Sequence, residues 1–135
     1  MNDVLVDTSV WIDFFRRAGD PQLRQSLSML LEQERVVLVD PVIAELLTGT
    51  RGENDRRRIL TLAQGARRAE LTLDSWIASG DLRRTLSQQG RTLSLADCLL
   101  AAIAQRDGLL LWTLDKDLDP LLQTGKIQAF HAKIF

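Results

Sequence analysis

Three short apolar runs each close on an acid and hand over to a helix signal, and this arrangement narrows the possible folds more than any other feature of the chain. Val4-Leu5-Val6 ends at Asp7, Val36 to Val39 ends at Asp40-Pro41, and Leu109 to Trp112 ends in Thr113-Leu114-Asp115. Unbroken runs of this kind suit parallel strands buried on both faces. Between the runs lie helices. Trp11, Ile12, Phe14 and Phe15 read as one, and Asp20-Pro21 supplies an N-cap and a first-turn proline for a second. Leu23, Leu27, Leu30 and Leu31 recur along that second helix at helical spacing. Asp40-Pro41 repeats the cap-plus-proline signal and opens a helix holding Glu45, which Thr48 to Gly52 breaks. A polar helix is expected through Arg56 to Ala63, then an isolated short strand or turn near Glu70 to Thr72. Ala78, Leu82 and Leu86 mark a further helix ending at Gly90; Ser94 caps the next, which stops at Gly108. Ile127 to Phe130 is expected to add a last strand. Strands alternating with helices predict an α/β fold, with a short, mostly parallel central sheet of about four to five strands and helices on both faces. With no repeat, low-complexity tract or linker, residues 1–135 are expected to form a single domain.

The composition closes off several kinds of function. Seventeen Lys plus Arg against eighteen Asp plus Glu give a net charge of −1, unlike a protein that coats nucleic acid. A single cysteine, Cys98, excludes an internal disulfide and fits a reducing compartment; the expected side chain is small and buried. The apolar runs are too short to cross a bilayer, and Met1-Asn2-Asp3 does not open a signal peptide, so a cytoplasmic location and no membrane partner are expected. His131 is the one histidine. Two-histidine acid–base catalysis is therefore impossible within one chain, and a Ser-His-Asp triad or a His-rich metal cage is disfavoured. Any chemistry must be carried by carboxylates.

Four acids stand out by position. Asp7 and Asp115 follow apolar strands and should emerge at the carboxyl edge of the sheet, where open α/β sheets bind ligands. Asp97 sits in the first turn of its helix with the small residues Ala101 and Ala104 at i+4 and i+7, and Glu45 lies early in a helix that also begins at a strand end. Each also has an ordinary use: Asp7 as a helix cap, Asp97 as a complement to the helix dipole, Glu45 as a solvated acid, Asp115 in a turn with Asp117.

Taken together, they belong to four motifs in order. Val4-Leu5-Val6-Asp7-Thr8-Ser9 is a hydrophobic strand followed by Asp-Thr-Ser, and Pro41-Val42-Ile43-Ala44-Glu45-Leu46 holds a central glutamate. Leu95-Ala96-Asp97-Cys98-Leu99-Leu100-Ala101-Ala102-Ile103-Ala104 sets an acid ahead of an Ala-Ala pair, and Leu110-Leu111-Trp112-Thr113-Leu114-Asp115-Lys116-Asp117-Leu118 closes with Thr-x-Asp. This series resembles the PIN domain and, within it, the VapC-type toxins, across nearly the whole chain. Leu118 stands where the family often has an aromatic, and Trp112 is bulkier than usual before the threonine; neither is a proposed ligand.

The resemblance implies a PIN-like fold and a Mg²⁺- or Mn²⁺-dependent endoribonuclease, the toxin of a type II toxin–antitoxin pair. It implies Asp7 and Asp97 as direct metal ligands, Asp115 and Glu45 as residues that position the metal or its waters, and Asp117 as an auxiliary. Ser9 and Thr113 would orient carboxylates or water through their hydroxyls. Hard divalent cations do prefer oxygen ligands, and a bound ion acidifies water and orients a phosphate, so the residue chemistry agrees. The implied partners are an RNA substrate (tRNA, rRNA or mRNA), a cognate VapB-type antitoxin that folds on binding, and a second copy of the chain, docked through the helices from Ala44 to Leu86. Water attack would leave a 5′-phosphate and a free 3′-hydroxyl.

Arginine outnumbers lysine fourteen to three and clusters at Arg16-Arg17, Arg56 to Arg58, Arg67-Arg68 and Arg83-Arg84. Such clusters are either solvated helix faces or phosphate contacts. Arg16, Arg17 and Arg51, which follow Asp7 and Glu45 most closely, are the expected substrate-binding residues. Trp11, Trp76 and Trp112 read chiefly as packing. A haloacid-dehalogenase site would need Asp-x-Asp where this chain has Asp7-Thr8-Ser9, and a receiver domain would need an acidic pair and a terminal lysine that are missing. The remaining alternatives are a PIN-domain RNA-processing nuclease without antitoxin and a non-catalytic binding module on the same fold.

Overall fold

In the computed structural model, which describes residues 2–132, Val4–Val6 forms the central strand β1, with all three side chains fully buried. On one side β1 pairs in parallel with β2 (Val36–Leu38), Val4 opposite Val36; on the other it pairs in parallel with β4 (Leu110–Trp112), Leu5 opposite Leu111. The two-residue β3 (Arg67–Arg68) extends the sheet beyond β2, giving the order β3-β2-β1-β4. The chain moves outward from β1 through β2 to β3 and then returns to the opposite side of β1. The strand order therefore reverses between β1 and β4, and a crevice is expected at the carboxyl ends of those two strands.

Among the described residues seven α-helices flank the sheet: α1 (Thr8–Phe15), α2 (Pro21–Glu32), α3 (Asp40–Thr48), α4 (Glu53–Gly65), α5 (Leu73–Gln88), α6 (Leu95–Asp107) and the single turn α7 (Asp119–Leu122), preceded by a 3-10 turn at Lys116–Leu118. Among the described residues no helix is long and apolar enough to cross a membrane. The α/β sheet expected from the sequence is thus present, with four strands. The domain expected over 1–135 can be described only within 2–132. The core is built from β1, β2 and β4 with Trp11 of α1, Leu27 of α2 and Leu99, Leu100 and Ile103 of α6. Ala101 and Ala104 are also buried, so the face of α6 bearing them is narrow enough to pack tightly. Trp11 and Trp112 are core residues, whereas Trp76 on α5 keeps 41% of its surface exposed.

Local signals explain most element boundaries. Asp20 accepts a hydrogen bond from Gln22 N, with Pro21 at the first helical position of α2. The turn between α1 and α2 needs Gly19, because a Cβ there would lie 2.2 Å from the Asp13 carbonyl oxygen. Ser94 Oγ accepts from Asp97 N to start α6, and Gly108, at φ +63°, ends it in the left-handed region that glycine enters without strain.

Four local expectations are corrected. Asp40 does not cap α3: it is already helical, Val39 holds the cap position without a side-chain bond, and the Asp40 carboxylate pairs instead with Arg68 at 3.4 Å. The short strand lies at Arg67–Arg68 rather than Glu70 to Thr72, because Thr72 is taken by a reciprocal capping box with Ser75 at the start of α5. On α5 the fully buried positions are Ser75, Ser79 and Leu86, while Ala78 is exposed. Two serines line the inward face, and a search for apolar periodicity passes over them. Finally, the expected last strand is a single parallel bridge between Leu111 and Ala129.

Arg106 ties the end of α6 to the start of α5. Its guanidinium donates to Ser75 Oγ at 2.7 Å, to the Glu70 carbonyl at 2.8 Å and to both carboxylate oxygens of Asp107 at 2.8 and 2.9 Å. The pairing holds Asp107 below its usual carboxylate range and raises Arg106 further. Arg106→Ala is expected to cost about 1–2 kcal/mol, since one side chain serves three partners from two segments. Arg106→Lys should recover only part of this, because an ammonium has no planar fork. Urea melts of the three proteins measure both effects.

Candidate active site

The loops after β1 and β4 meet at the crevice described above. The Asp7 backbone N–H donates to the Trp112 carbonyl at 2.9 Å, which sets the end of β1 against the end of β4. The Asp7 side chain is 6% exposed and fully used. Its Oδ1 accepts from Thr8 N at 2.7 Å, and its Oδ2 accepts from both Ser9 Oγ and Thr113 Oγ1 at 2.8 Å. The two hydroxyls in turn accept backbone N–H groups, Ser9 Oγ from Leu114 and Thr113 Oγ1 from Asp115. Ser9 and Thr113 therefore orient the Asp7 carboxylate, as expected, and also pin the loop that carries Asp115. Thr113→Val keeps the shape, removes one donor to Asp7 and orphans Asp115 N. The expected loss is about 1–2 kcal/mol, with Thr113→Ser close to wild type, read by thermal melts.

Asp97 projects from the first turn of α6, and its carboxyl is pushed up to about 6. Burial is the largest cause; the Ser94 hydroxyl opposes it, and the charges of Asp7, Asp115 and Glu45 add to it. Asp7, Asp115 and Glu45 thus lie near enough to Asp97 for their charges to act on it. Glu45 on α3 is raised as well, by partial burial and by Asp7, against the neighbouring Thr8 hydroxyl. Asp115 caps the 3-10 turn by accepting from Asp117 N at 2.9 Å. Asp117 contributes that backbone N–H to the site; its carboxylate is exposed and is not among the charges that act on Asp97.

Among the described residues none of the four acids has an ion-pair partner, although the chain carries fourteen arginines. Like charges brought together without a cation are costly, and a bound cation removes that cost. All the donors are oxygens, the set preferred by hard divalent ions. Among the described residues no three acids, histidines or cysteines are close enough to enclose an ion by themselves. A set of oxygen donors of this kind suits a hard divalent ion that keeps part of its own hydration. Thr8 points the same way: its buried Oγ1 has no complete hydrogen bond and lies beside Glu45. Sequence reasoning named Ser9 and Thr113 but missed Thr8; the available signal was a hydroxyl residue directly after a strand-ending acid.

The arginines expected to bind substrate follow the C-terminal ends of α1 and α3. Arg16 and Arg17 follow the far end of α1, about 12 Å of helix from Asp7, and Arg16 is paired with Asp13 at 3.1 Å. Arg51 lies beyond the end of α3, exposed, with its backbone N–H on Asp55. Cys98 is fully buried, as expected.

Comparison with known proteins agrees with this architecture. A ribonuclease VapC11 of Mycobacterium tuberculosis is 30% identical over 131 residues, covering 93% of this chain and 96% of the relative. The solved VapBC2 of Rickettsia felis, bound to a DNA fragment from its promoter, superposes with a TM-score of 0.74 at 16% identity, over 94% of this chain and 96% of that one. A toxin–antitoxin complex from Klebsiella pneumoniae matches with a TM-score of 0.68 at 24% identity, over 86% and 90%. The two structures share the fold. The family model of the PIN domain matches residues 4–121, which include all four acids and every strand of the sheet, and the chain belongs to the PIN domain family.

Proposed function

We propose that the chain is a divalent-metal-dependent endoribonuclease and the toxin of a toxin–antitoxin pair, working inside the cell. The observation that carries the chemistry is the grouping of Asp7, Glu45, Asp97 and Asp115 at the strand-order reversal, with no ion-pair partner among the described residues. The identity to a VapC ribonuclease over 93% of the chain supports RNA as the substrate. The toxin–antitoxin complexes of like fold support an antitoxin as partner.

Asp7 and Asp97 would hold the ion, Mg²⁺ or Mn²⁺, with Asp115 and Glu45 orienting its waters. When bound, such an ion acidifies water, orients the scissile phosphate and offsets developing negative charge. Asp7 is suited to its part because Ser9 and Thr113 fix its Oδ2 from two sides, so the carboxylate is already aimed before substrate arrives. Asp97 brings a carboxylate whose burial and acidic neighbours favour any positive charge placed beside it. Glu45, exposed at the rim beside Thr8, would accept a hydrogen bond from the attacking water. In the reaction a water oxygen bonds to phosphorus, the bond from phosphorus to the 3′ oxygen breaks, and the proton ends on that oxygen. The products are a 5′-phosphate and a 3′-hydroxyl. A histidine is not required. Asp117 acts through its backbone, helping to set Asp115.

The test uses purified protein on a panel of structured tRNA, rRNA and mRNA fragments, with Mg²⁺, with Mn²⁺ and with excess EDTA. Cleavage in either metal and none in EDTA is expected, with growth arrest on expression relieved by the adjacent gene product. Cleavage that persists in EDTA overturns the metal mechanism. RNA cleavage without any growth effect overturns the toxin assignment and leaves a processing nuclease.

A further inference from the structure

The acidic pit repels the polyanion that the proposed reaction requires, so positive charge must lie next to it. Most arginine clusters are already engaged. Arg16 pairs with Asp13, Arg56 and Arg57 with Glu53, Arg67 with Asp3, Arg68 with Asp40 and Arg106 with Asp107. A different set is free. Between the C-terminal half of α5 and the loop leading into α6 runs a cleft of roughly 430 Å³, lined by Arg83, Arg84, Arg91, Gly80, Ser87 and Leu95 and by no acid. Among the described residues the side chains of Arg84 and Arg91 have neither a hydrogen bond nor an ion pair. Arg83 donates only its Nε, to the Leu93 carbonyl at 3.1 Å, which leaves its two terminal nitrogens to form a fork.

The cleft and the pit meet at the start of α6, where Leu95 in the cleft wall and Asp97 in the pit stand in the same first turn, about 3 Å apart along the helix axis and on different faces. The floor is open, since a Cβ on Gly80 would meet nothing within 4 Å. One turn earlier on α5 the exposed Trp76 offers a face on which a base can stack. A second arginine-lined cleft, with Phe14, Phe15, Arg17, Arg24 and Arg58, opens at the far end of α1, and there Arg58 already lies over the Phe15 ring at 4.8 Å.

We propose that Arg83, Arg84 and Arg91 bind the phosphate backbone of the RNA strand being cut, which then passes over the start of α6 to reach the acids. The inference rests on the ribonuclease reading. Arginine suits the role because its planar fork meets phosphate oxygens in pairs, and neutral contacts would not offset the charge of the pit.

The experiment measures fluorescence anisotropy of a labelled single-stranded RNA with the full chain in EDTA, across a series of NaCl concentrations. The Arg84→Ala/Arg91→Ala double variant is expected to bind about tenfold more weakly, with the slope of log K against log salt reduced by about 1.4, twice the value for one single-strand phosphate contact. In Mg²⁺ its KM should rise about tenfold, with kcat within about twofold of wild type. Both arginines are exposed, so thermal melts should match wild type and exclude misfolding. An Arg56→Ala/Arg57→Ala control, on the exposed face of α4, should bind like wild type. Unchanged affinity and salt slope in the first double variant overturn the proposal, as does a loss confined to the control. A polyglutamate peptide that binds the cleft where RNA does not would make it a protein-docking surface and also overturn the proposal. If wild type cuts RNA and the double variant keeps its KM, the inference fails while the nuclease reading stands. If RNA binds through these arginines but is never cut, the inference stands and the nuclease reading fails.

Discussion

Asp97→Asn is expected to lower kcat for RNA cleavage at least about a hundredfold, a loss of about 2.7 kcal/mol of transition-state stabilisation, while making the metal-free protein more stable. Asp7→Asn should show the same loss of activity without the gain. The two outcomes separate because the two acids sit in different surroundings. The Asp7 carboxylate accepts three hydrogen bonds, and replacing one oxygen by an amide leaves a donor facing hydroxyls that already donate. Asp97 carries a penalty instead: burial and three nearby carboxylates push it up to about 6. A folded-state value above the ordinary 3.8 means that the charge opposes folding at neutral pH. Asparagine removes the charge and keeps an oxygen for the start of α6. After allowance for solvent screening the gain should be about 1–2 kcal/mol, a rise of about 3–6 °C in Tm. Cleavage assays and melts in EDTA on the same preparations check both halves. Wild-type cleavage by Asp97→Asn would remove it from the site.

Divalent ions should produce the second large effect, and pH should control it. An ion that binds only the folded state adds about 2.7 kcal/mol at a hundredfold excess over its Kd. The protein without metal should behave in the opposite sense to most proteins on mild acidification. Above pH 6 the penalty at Asp97 is fully present; as pH falls through about 6 toward 3.8 the folded state takes up a proton before the unfolded state does, and stability rises. Glu45, raised for similar reasons, works in the same direction. Protons and metal therefore compete for one pit. The stabilisation by Mn²⁺ or Mg²⁺ should be large at pH 8 and small near pH 5, and Asp97→Asn should blunt it at both. Melts in EDTA, Mg²⁺ and Mn²⁺ across that range measure the whole surface. A Tm that ignores millimolar Mn²⁺ at pH 8 would refute an ion at these acids.

What could be read from the sequence follows the distance over which each signal acts. Strands β1, β2 and β4, the caps at Asp20 and Ser94 and the stop at Gly108 are encoded within four residues of where they act, and they lie where expected. Asp7 and Asp115 stand out because each follows an apolar run whose direction is fixed by burial, and Asp97 and Glu45 because each lies early in a helix. Tertiary contacts overrode local rules elsewhere. Asp40 gives up a capping role for an ion pair with Arg68, a partner 28 positions on that no local pattern reveals. The inward face of α5 is built on Ser75 and Ser79, whose hydroxyls find partners inside; Ser75 receives Arg106 from α6. The arginines could be counted but not assigned, because a guanidinium on a helix looks the same in sequence whether or not a carboxylate meets it.

The position of β1 between β2 and β4 bears on when such a site can exist. Leu5 meets Val37 on one side but must wait for Leu111 on the other. During synthesis, at about 5–20 residues per second, the central strand is therefore left with an open edge for several seconds or more. Over that time Asp7 has neither the Trp112 carbonyl for its N–H nor the Thr113 hydroxyl for its carboxylate. The acids therefore cannot meet while the chain is still short of its fourth strand, and the site comes into being only with the closing of the sheet.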